Sequence, residues 1–444
     1  MIRDRLLDIA IGRLEAGWRP FGFGLVQRDL AHSPLGIFLQ PEVVRGLQWL
    51  RLRRILRYAA VRSPFYREQF HSLGINPRDI RSFADFARLP FTTPHDLSQW
   101  QRFLAVPEDD LSVLFTTSGT SGEPKRVFYT ARDMRRLANL ASLGMRMHVT
   151  GRLVALIALP PGLWAGTGEA LRVVERAGGL PLPLGALDPR LALRHLQLYR
   201  PNVLISSPSF AAALTLEAKK LELKYSLEAI FLGGEMLTPE QKREFQAYWG
   251  AQVFDTYGMT EIGGGQAISL PGCGNLHLNG LQLYTEIVDV HSGQPVEQGE
   301  LVFTTLAREG MPLLRYRSGD LARWAHCADW PLGAIQVLGR ADDLLVVGDM
   351  GLYASVLAEA VSHAPGATGR MCAILQKDGL LDRLKLIVEG NGVSTETVRA
   401  LLFDRYPEMK INLDGRMYTL DIQITAELPG QFKPVKIIDE RNSR

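Results

Sequence analysis

Between residues 150 and 256, short apolar runs alternate with stretches of helical period, and this alternation limits the fold more than any other feature of the chain. The apolar runs fall at 153–159, 180–184, 203–206, 229–232 and 252–255, and the helical stretches at about 167–177, 188–199, 208–220 and 238–249. Strand, helix, strand at this spacing predicts parallel βαβ units in a sheet covered on both faces, and so an α/β fold. In such sheets ligands bind beyond the carboxyl ends of the strands. Two chemically distinctive stretches lie at those ends, Gly233-Gly234-Glu235 and Tyr257-Gly258-Met259-Thr260-Glu261.

The flanks differ. Residues 40–75 read as mostly helical, with a break at Pro64. Residues 281–325 alternate apolar and polar positions around a turn at His291-Ser292-Gly293, which predicts antiparallel strands. Past Gly339-Arg340 the pattern changes again. A helix is expected after Ser355, a hairpin around Lys377-Asp378-Gly379, a helix after Ser394 and a last strand near 418–424. About a hundred residues of this kind suit a separate small α+β domain. The expected organisation is a large N-terminal domain over 1–338, with parallel βαβ sheets plus an antiparallel part, and a small C-terminal domain over 339–444.

Composition excludes several classes. The chain has 50 basic and 47 acidic residues and a net charge of +3, too balanced to predict nucleic acid or a membrane as partner. Charges are interspersed through the first 18 residues, which breaks any signal-peptide core. The apolar run around Pro160 and Pro161 is too short to span a bilayer. Three widely spaced cysteines, Cys273, Cys327 and Cys372, imply no disulfide framework and a reducing, cytoplasmic setting.

The strongest local signal is Thr116-Thr117-Ser118-Gly119-Thr120-Ser121-Gly122-Glu123-Pro124-Lys125. Small residues let backbone N–H groups approach an anion, and Lys125 adds charge. It is not a Walker loop, because Pro124 stands where the second glycine would be. Alone, such a run is a flexible surface loop. It is followed in order by YGMTE at 257–261, LRYRSGD at 314–320, LGRADD at 338–343 and Lys433.

This ordered set, with RYAAVRSPFYREQF near the start and KIIDER near the end, resembles the acyl-adenylate-forming superfamily, and within it the phenylacetate–coenzyme A ligase-like branch. The resemblance covers roughly residues 40–441. It implies an ATP- and Mg²⁺-dependent enzyme that turns a carboxylic acid into an acyl-adenylate and passes the acyl group to a thiol. By resemblance, Thr117, Ser118, Gly119, Thr120, Ser121, Gly122 and Lys125 hold the β- and γ-phosphates, Thr260 the α-phosphate and Glu261 Mg²⁺. Tyr257 and Gly258 would meet adenine, and Gly234 and Glu235 would line the base. Asp320 would accept both ribose hydroxyls, with Arg340 on ribose or phosphate. Lys433 would reach the carboxylate and α-phosphate from a mobile small domain hinged at Asp342. At each of these positions a plainer structural role, such as a helix cap, core packing or a solvated turn, is the alternative.

Departures from the family pattern leave the acceptor open. Phe432 replaces the glycine before the lysine, Asp349 replaces a glycine and Ala354 a proline in the glycine-rich stretch after the hinge. Coenzyme A, the phosphopantetheine arm of a carrier protein, and another nucleophile are all compatible. So is a non-catalytic nucleotide-binding relative, which would bind ATP without acid-dependent exchange. Trp164, Phe210 and Ser207 are the expected pocket residues, for an aryl or apolar acyl acid; core packing is the alternative for the two aromatics. Cys273, His277, His326 and Cys327 fall where some relatives hold a structural metal, so Zn²⁺ is an alternative to stray polar residues. A homodimer is also left open.

Overall fold

The computed structural model describes residues 41–116, 125–160, 162–186, 188–270, 272–327, 333–341, 344–347, 350–378, 381–414, 418–428 and 435–440. The chain divides into two compact units. The first comprises residues 1–286, 302–318 and 324–336, the second 287–301, 319–323 and 337–444.

The first unit opens with helix α1, Pro41–Arg62, which buries Leu52, Ile55, Leu56 and Ala59 on one face. Ser63 takes an extended conformation (φ −86°, ψ 120°) because Pro64 follows it, and Pro64 then starts helix α2, Pro64–Ser72. Strands β1, Leu111–Thr116, and β2, Arg126–Thr130, pair antiparallel, with Thr116 opposite Arg126. The strand ends that flank residues 117–124 in sequence therefore face each other.

Helix α3, Ala131–His148, begins at a capping box in which Thr130 and Asp133 exchange hydrogen bonds. The buried Asp133 carboxylate does more than cap. Its two oxygens also accept the N–H groups of Glu309 (2.7 Å) and Gly310 (2.9 Å).

The βαβ series follows as expected: β3, Val154–Ala158; α4, Ala165–Arg176; β4, Leu180–Pro183; α5, Pro189–Tyr199; β5, Val203–Ser206; α6, Pro208–Lys220; β6, Ala229–Gly233; α7, Pro239–Trp249; β7, Gln252–Met259. These strands are parallel in the order β4-β3-β5-β6-β7. Their side chains split by the two-residue period. Leu156, Leu204 and Ile230 join the core under α5–α7, while Ala155, Ile157, Val203 and Phe231 join the core with Val174 of α4 and Met145 of α3. Strands β8, Gly263–Ser269, and β9, Leu276–Leu278, then add antiparallel.

Strands β10, Leu283–Val288, β11, Gln298–Thr305, β12, Tyr316–Ala325, and β13, Ala334–Arg340, each run through residues of both units. The expected turn at 291–293 is present. Asp289 accepts from Ser292 N at 2.7 Å, and Gly293 has φ 68°.

In the second unit, β14, Leu344–Val347, pairs with β15, Met350–Tyr353. Helix α8, Ala354–Ser362, leads to β16, Ala367–Asp378, which forms the expected hairpin with β17, Leu381–Gly390. Helix α9, Thr395–Arg405, is capped by Ser394. Helix α10, Pro407–Asp414, and β18, Tyr418–Thr425, follow, and β18 lies parallel to β17. The series does not end there as the sequence suggested. A further strand, β19, Val435–Asp439, lies parallel to β16 on its other side. No helix of the described residues is long and apolar enough to cross a membrane.

Candidate active site

The carboxyl ends of β6 and β7 carry the distinctive residues, and the backbone there is held by close approach. A Cβ on Gly258 would lie 1.6 Å from Gly264 O, so only glycine lets β8 fold back against β7 at this point. Thr260 and Glu261 follow in the connection and are buried. Tyr129 of β2 donates its hydroxyl to Thr260 O at 2.6 Å. Arg308 donates to Glu261 O and to the Tyr129 hydroxyl, and its guanidinium lies 4.4 Å above the Tyr129 ring. Burial pushes the Tyr129 phenol up, against the pull of Arg308, so it stays a neutral donor.

Around this clamp the Glu261 side chain gathers charge. Its Oε1 accepts from Lys125 Nζ at 2.8 Å and from the Tyr316 hydroxyl at 2.9 Å. Among the described residues Oε2 accepts no hydrogen bond, which leaves a hard oxygen donor of the kind Mg²⁺ takes. Lys125 and Glu261 are 136 residues apart, and nothing local in either motif signals that they pair. Tyr129, Arg308 and Tyr316 were not anticipated either; each supports the Thr260-Glu261 turn from a different strand or loop. Residues Thr117, Ser118, Gly119, Thr120, Ser121, Gly122, Asp342 and Lys433 lie outside the described residues.

The other expected residues separate into two groups. Gly234 has φ 84° after β6, and Glu235 turns back to accept from Ser209 N (3.0 Å) and Oγ (2.7 Å) at the start of α6. Trp164 lies against this turn, with its ring 3.3 Å from where a Gly234 Cβ would be. Tyr257 is half-buried, its ring 6.2 Å from that of Phe303. By contrast, Phe210 is buried in the core with Leu204 and Leu232, and Ser207 caps α6 by accepting from Phe210 N. A cavity of about 440 Å³ opens beside Thr260; Trp164, Gly234 and Gly258 line it, while Phe210 and Ser207 do not.

Glu169 also lines this cavity. One of its oxygens accepts from Gly264 N, and among the described residues Oε1 is buried without a hydrogen-bond partner. Burial pushes its carboxyl up to about 7, against the hydrogen bond from Gly264 and the charges of Arg308 and Arg172. Its sequence signal is a glutamate on the otherwise apolar inward face of α4, four residues after Ala165 and five before Val174.

In the second unit Arg340 donates to Asp320 Oδ1 at 2.8 Å, and Gly319, at φ 73°, gives the guanidinium room. In the first unit Cys273, His277 and Cys327 are buried with their ligand atoms all within 4.8 Å of one another. His326 stands outside this group.

The sequence profile of the AMP-binding enzyme family matches residues 71–306. The chain belongs to this family. Phenylacetate-coenzyme A ligase of Thermus thermophilus is 30% identical over 418 residues, covering 88% of this chain and 90% of that protein. The ligase of the same name from Aromatoleum evansii is 29% identical, covering 83% and 85%. The crystal structure of 2-hydroxyisobutyryl-CoA ligase in the postadenylation state, in complex with 2-HIB-AMP, shares the fold. Its TM-score is 0.72 at 24% identity, over 90% of each chain.

Proposed function

We propose that the chain is an ATP- and Mg²⁺-dependent acid–thiol ligase acting on an aryl or apolar acyl acid, with coenzyme A as acceptor. In the first half-reaction an acid oxygen forms a bond to the α-phosphorus of ATP, and the bond to pyrophosphate breaks. In the second, the thiol sulfur bonds to the acyl carbon and AMP leaves with the electron pair. Two anions meet in the first step, so the site must supply fixed positive charge and geometry.

The observation that carries this reading is Lys125 paired with Glu261 beside the clamped Thr260. Without nucleotide the two charges compensate each other. Bound nucleotide offers Lys125 its phosphates, and Glu261 is left to hold Mg²⁺, which neutralises phosphate charge when bound. Thr260 would donate its hydroxyl to the α-phosphate. Asp320 and Arg340 would serve the ribose, Tyr257 and Gly258 adenine, and Gly234 and Glu235 the edge of the base. Residues 117–122 would donate to the terminal phosphates. Lys433 would neutralise the reacting oxygens, with Asp342 as the hinge that exchanges one half-reaction for the other.

ATP–pyrophosphate exchange against a broad panel of acids tests the first half-reaction, and thioester formation on adding coenzyme A tests the second. Exchange without a coenzyme A thioester would redirect the acceptor to a carrier-protein phosphopantetheine arm or another nucleophile. ATP binding with no exchange for any acid would make the chain a non-catalytic relative. Lys433→Ala should lower exchange strongly while sparing thioester formation from preformed adenylate; equal loss of both would remove its assignment.

Zn²⁺ is the ion we assign to Cys273, His277 and Cys327, since two thiolates and an imidazole are three of the four ligands a structural site takes. Metal analysis of protein purified without added zinc checks this, and a metal-free preparation with an unchanged melting temperature would refute it. The three cysteines are buried and form no disulfide, which supports a cytoplasmic location.

A further inference from the structure

The cavity beside Thr260 is larger than an aryl acid needs. A cavity of about 150 Å³ accommodates benzene, whereas this one is about 440 Å³. Its extra length follows α3. Met134, Leu137, Ala141, Gly144 and His148 all line it, at the three- and four-residue spacing of a single helix face. That face is about 21 Å long at 1.5 Å per residue. A Cβ on Gly144 would meet nothing within 4 Å among the described residues, so they leave open space directly over the helix backbone there.

The arginines on the wall are turned toward backbone. Arg51, Arg146 and Arg172 donate to the backbone carbonyls of Leu281, Ala177 and Gly168. Burial pushes His148 down to about 4, so it is neutral, and pushes Glu169, the one acid on the wall among the described residues, up to about 7. A wall of leucine, alanine, glycine and methionine with its charges tied back suits methylene groups better than a second ionised group.

We infer that the acid is a long aliphatic one, its carboxylate at Thr260 and its chain laid along the α3 face over Ala141 and Gly144. This rests on the ligase reading above and deepens it by naming the substrate class. The cavity is continuous from Thr260 and Gly258 to Gly144 and Leu281, which is why an acyl tail is the occupant.

The test is acid-dependent ATP–pyrophosphate exchange by the full chain with phenylacetate and with straight-chain acids from butanoate to hexadecanoate. Each methylene that enters the cavity should raise kcat/KM about fourfold until the tract is full. Gly144→Phe and Ala141→Phe should each shorten the preferred chain and lower the ratio of long-acid to short-acid kcat/KM at least tenfold, with Gly144→Ala close to the parent. Thermal melting identifies a variant that fails to fold, and the comparison then rests on the other and on the parent's own chain-length series. Rates that are flat or falling with chain length overturn the inference and leave the ligase standing. So does an equal loss for every acid in both phenylalanine variants. Absence of exchange with every acid overturns both.

Discussion

Replacing Glu261 by glutamine separates charge from shape at the point where the site is most constrained. The amide oxygen can still accept from the Tyr316 hydroxyl, now at 2.9 Å, and the backbone clamp from Tyr129 and Arg308 is untouched. What is lost is the charge opposite Lys125. The Lys125 side chain is 23% exposed and the Glu261 side chain 2%, so the freed ammonium can turn to water while the neutral amide stays buried at little cost. Stability should therefore fall by no more than one charge-assisted hydrogen bond, about 1.5–3 kcal/mol. The effect on catalysis should be larger. Outer-shell changes around a metal cost about 10–100-fold in affinity, and here the ligand itself loses its charge. Acid-dependent ATP–pyrophosphate exchange measured over a Mg²⁺ series should show the half-saturating Mg²⁺ concentration rise about 100-fold or more. A Mg²⁺ dependence identical to the parent's, in a folded variant, would refute the placement of the metal on Glu261.

Gly258→Ala should abolish exchange and lower the melting temperature, because its methyl would lie 1.6 Å from Gly264 O; Gly265→Ala, where nothing lies within 4 Å, is the matched control and should be near neutral. Glu169→Gln should change the pH dependence of stability. The folded carboxyl is raised from 4.5 to about 7, so below pH 4.5 the residue carries no penalty, and the penalty grows as pH rises to about 7 and is constant above. Denaturation across pH 4–8 should show the variant gaining on the parent over that window, by up to about 3 kcal/mol; parallel curves would contradict it. Arg315→Ala should cost about 3–5 kcal/mol, since it leaves the buried Glu286 carboxylate without the guanidinium that holds it at 3.0 and 3.1 Å; urea unfolding of Arg315→Ala and Glu286→Gln compares the two.

The βαβ series was legible because its central strands β3 and β5 are buried on both faces and three of its four helices carry their own start signal. Asp188, Ser207 and Thr238 cap helices whose first residue is a proline. The far end was less legible. Strand β19 is five residues long and gains its meaning from pairing with β16, more than 50 residues earlier. The same limit governed the site. Thr260 and Glu261 stand out as a motif, as do the stretches that carry Lys125 and Tyr316, but the convergence of these side chains with Tyr129 and Arg308 on one turn leaves no local pattern. Phe210 is expected in the acid pocket by resemblance alone, with core packing as the alternative. Its place in α6 instead turns it into the core with Leu204. Trp164, in a loop with glycines on either side of the ring, was free to face the cavity.

The Asp133 carboxylate joins residues 176 and 177 positions apart to the start of α3. Closing a loop of that size costs about 4–5 kcal/mol of chain entropy, so this junction belongs to the late stages of folding. A nascent chain that has not yet emerged past Gly310 holds a helix start whose acid lacks two of its three donors. The turn that presents Thr260 and Glu261 is thus completed only when its supports at Arg308 and Tyr316 have been synthesised, and the site matures as one of the last parts of its unit.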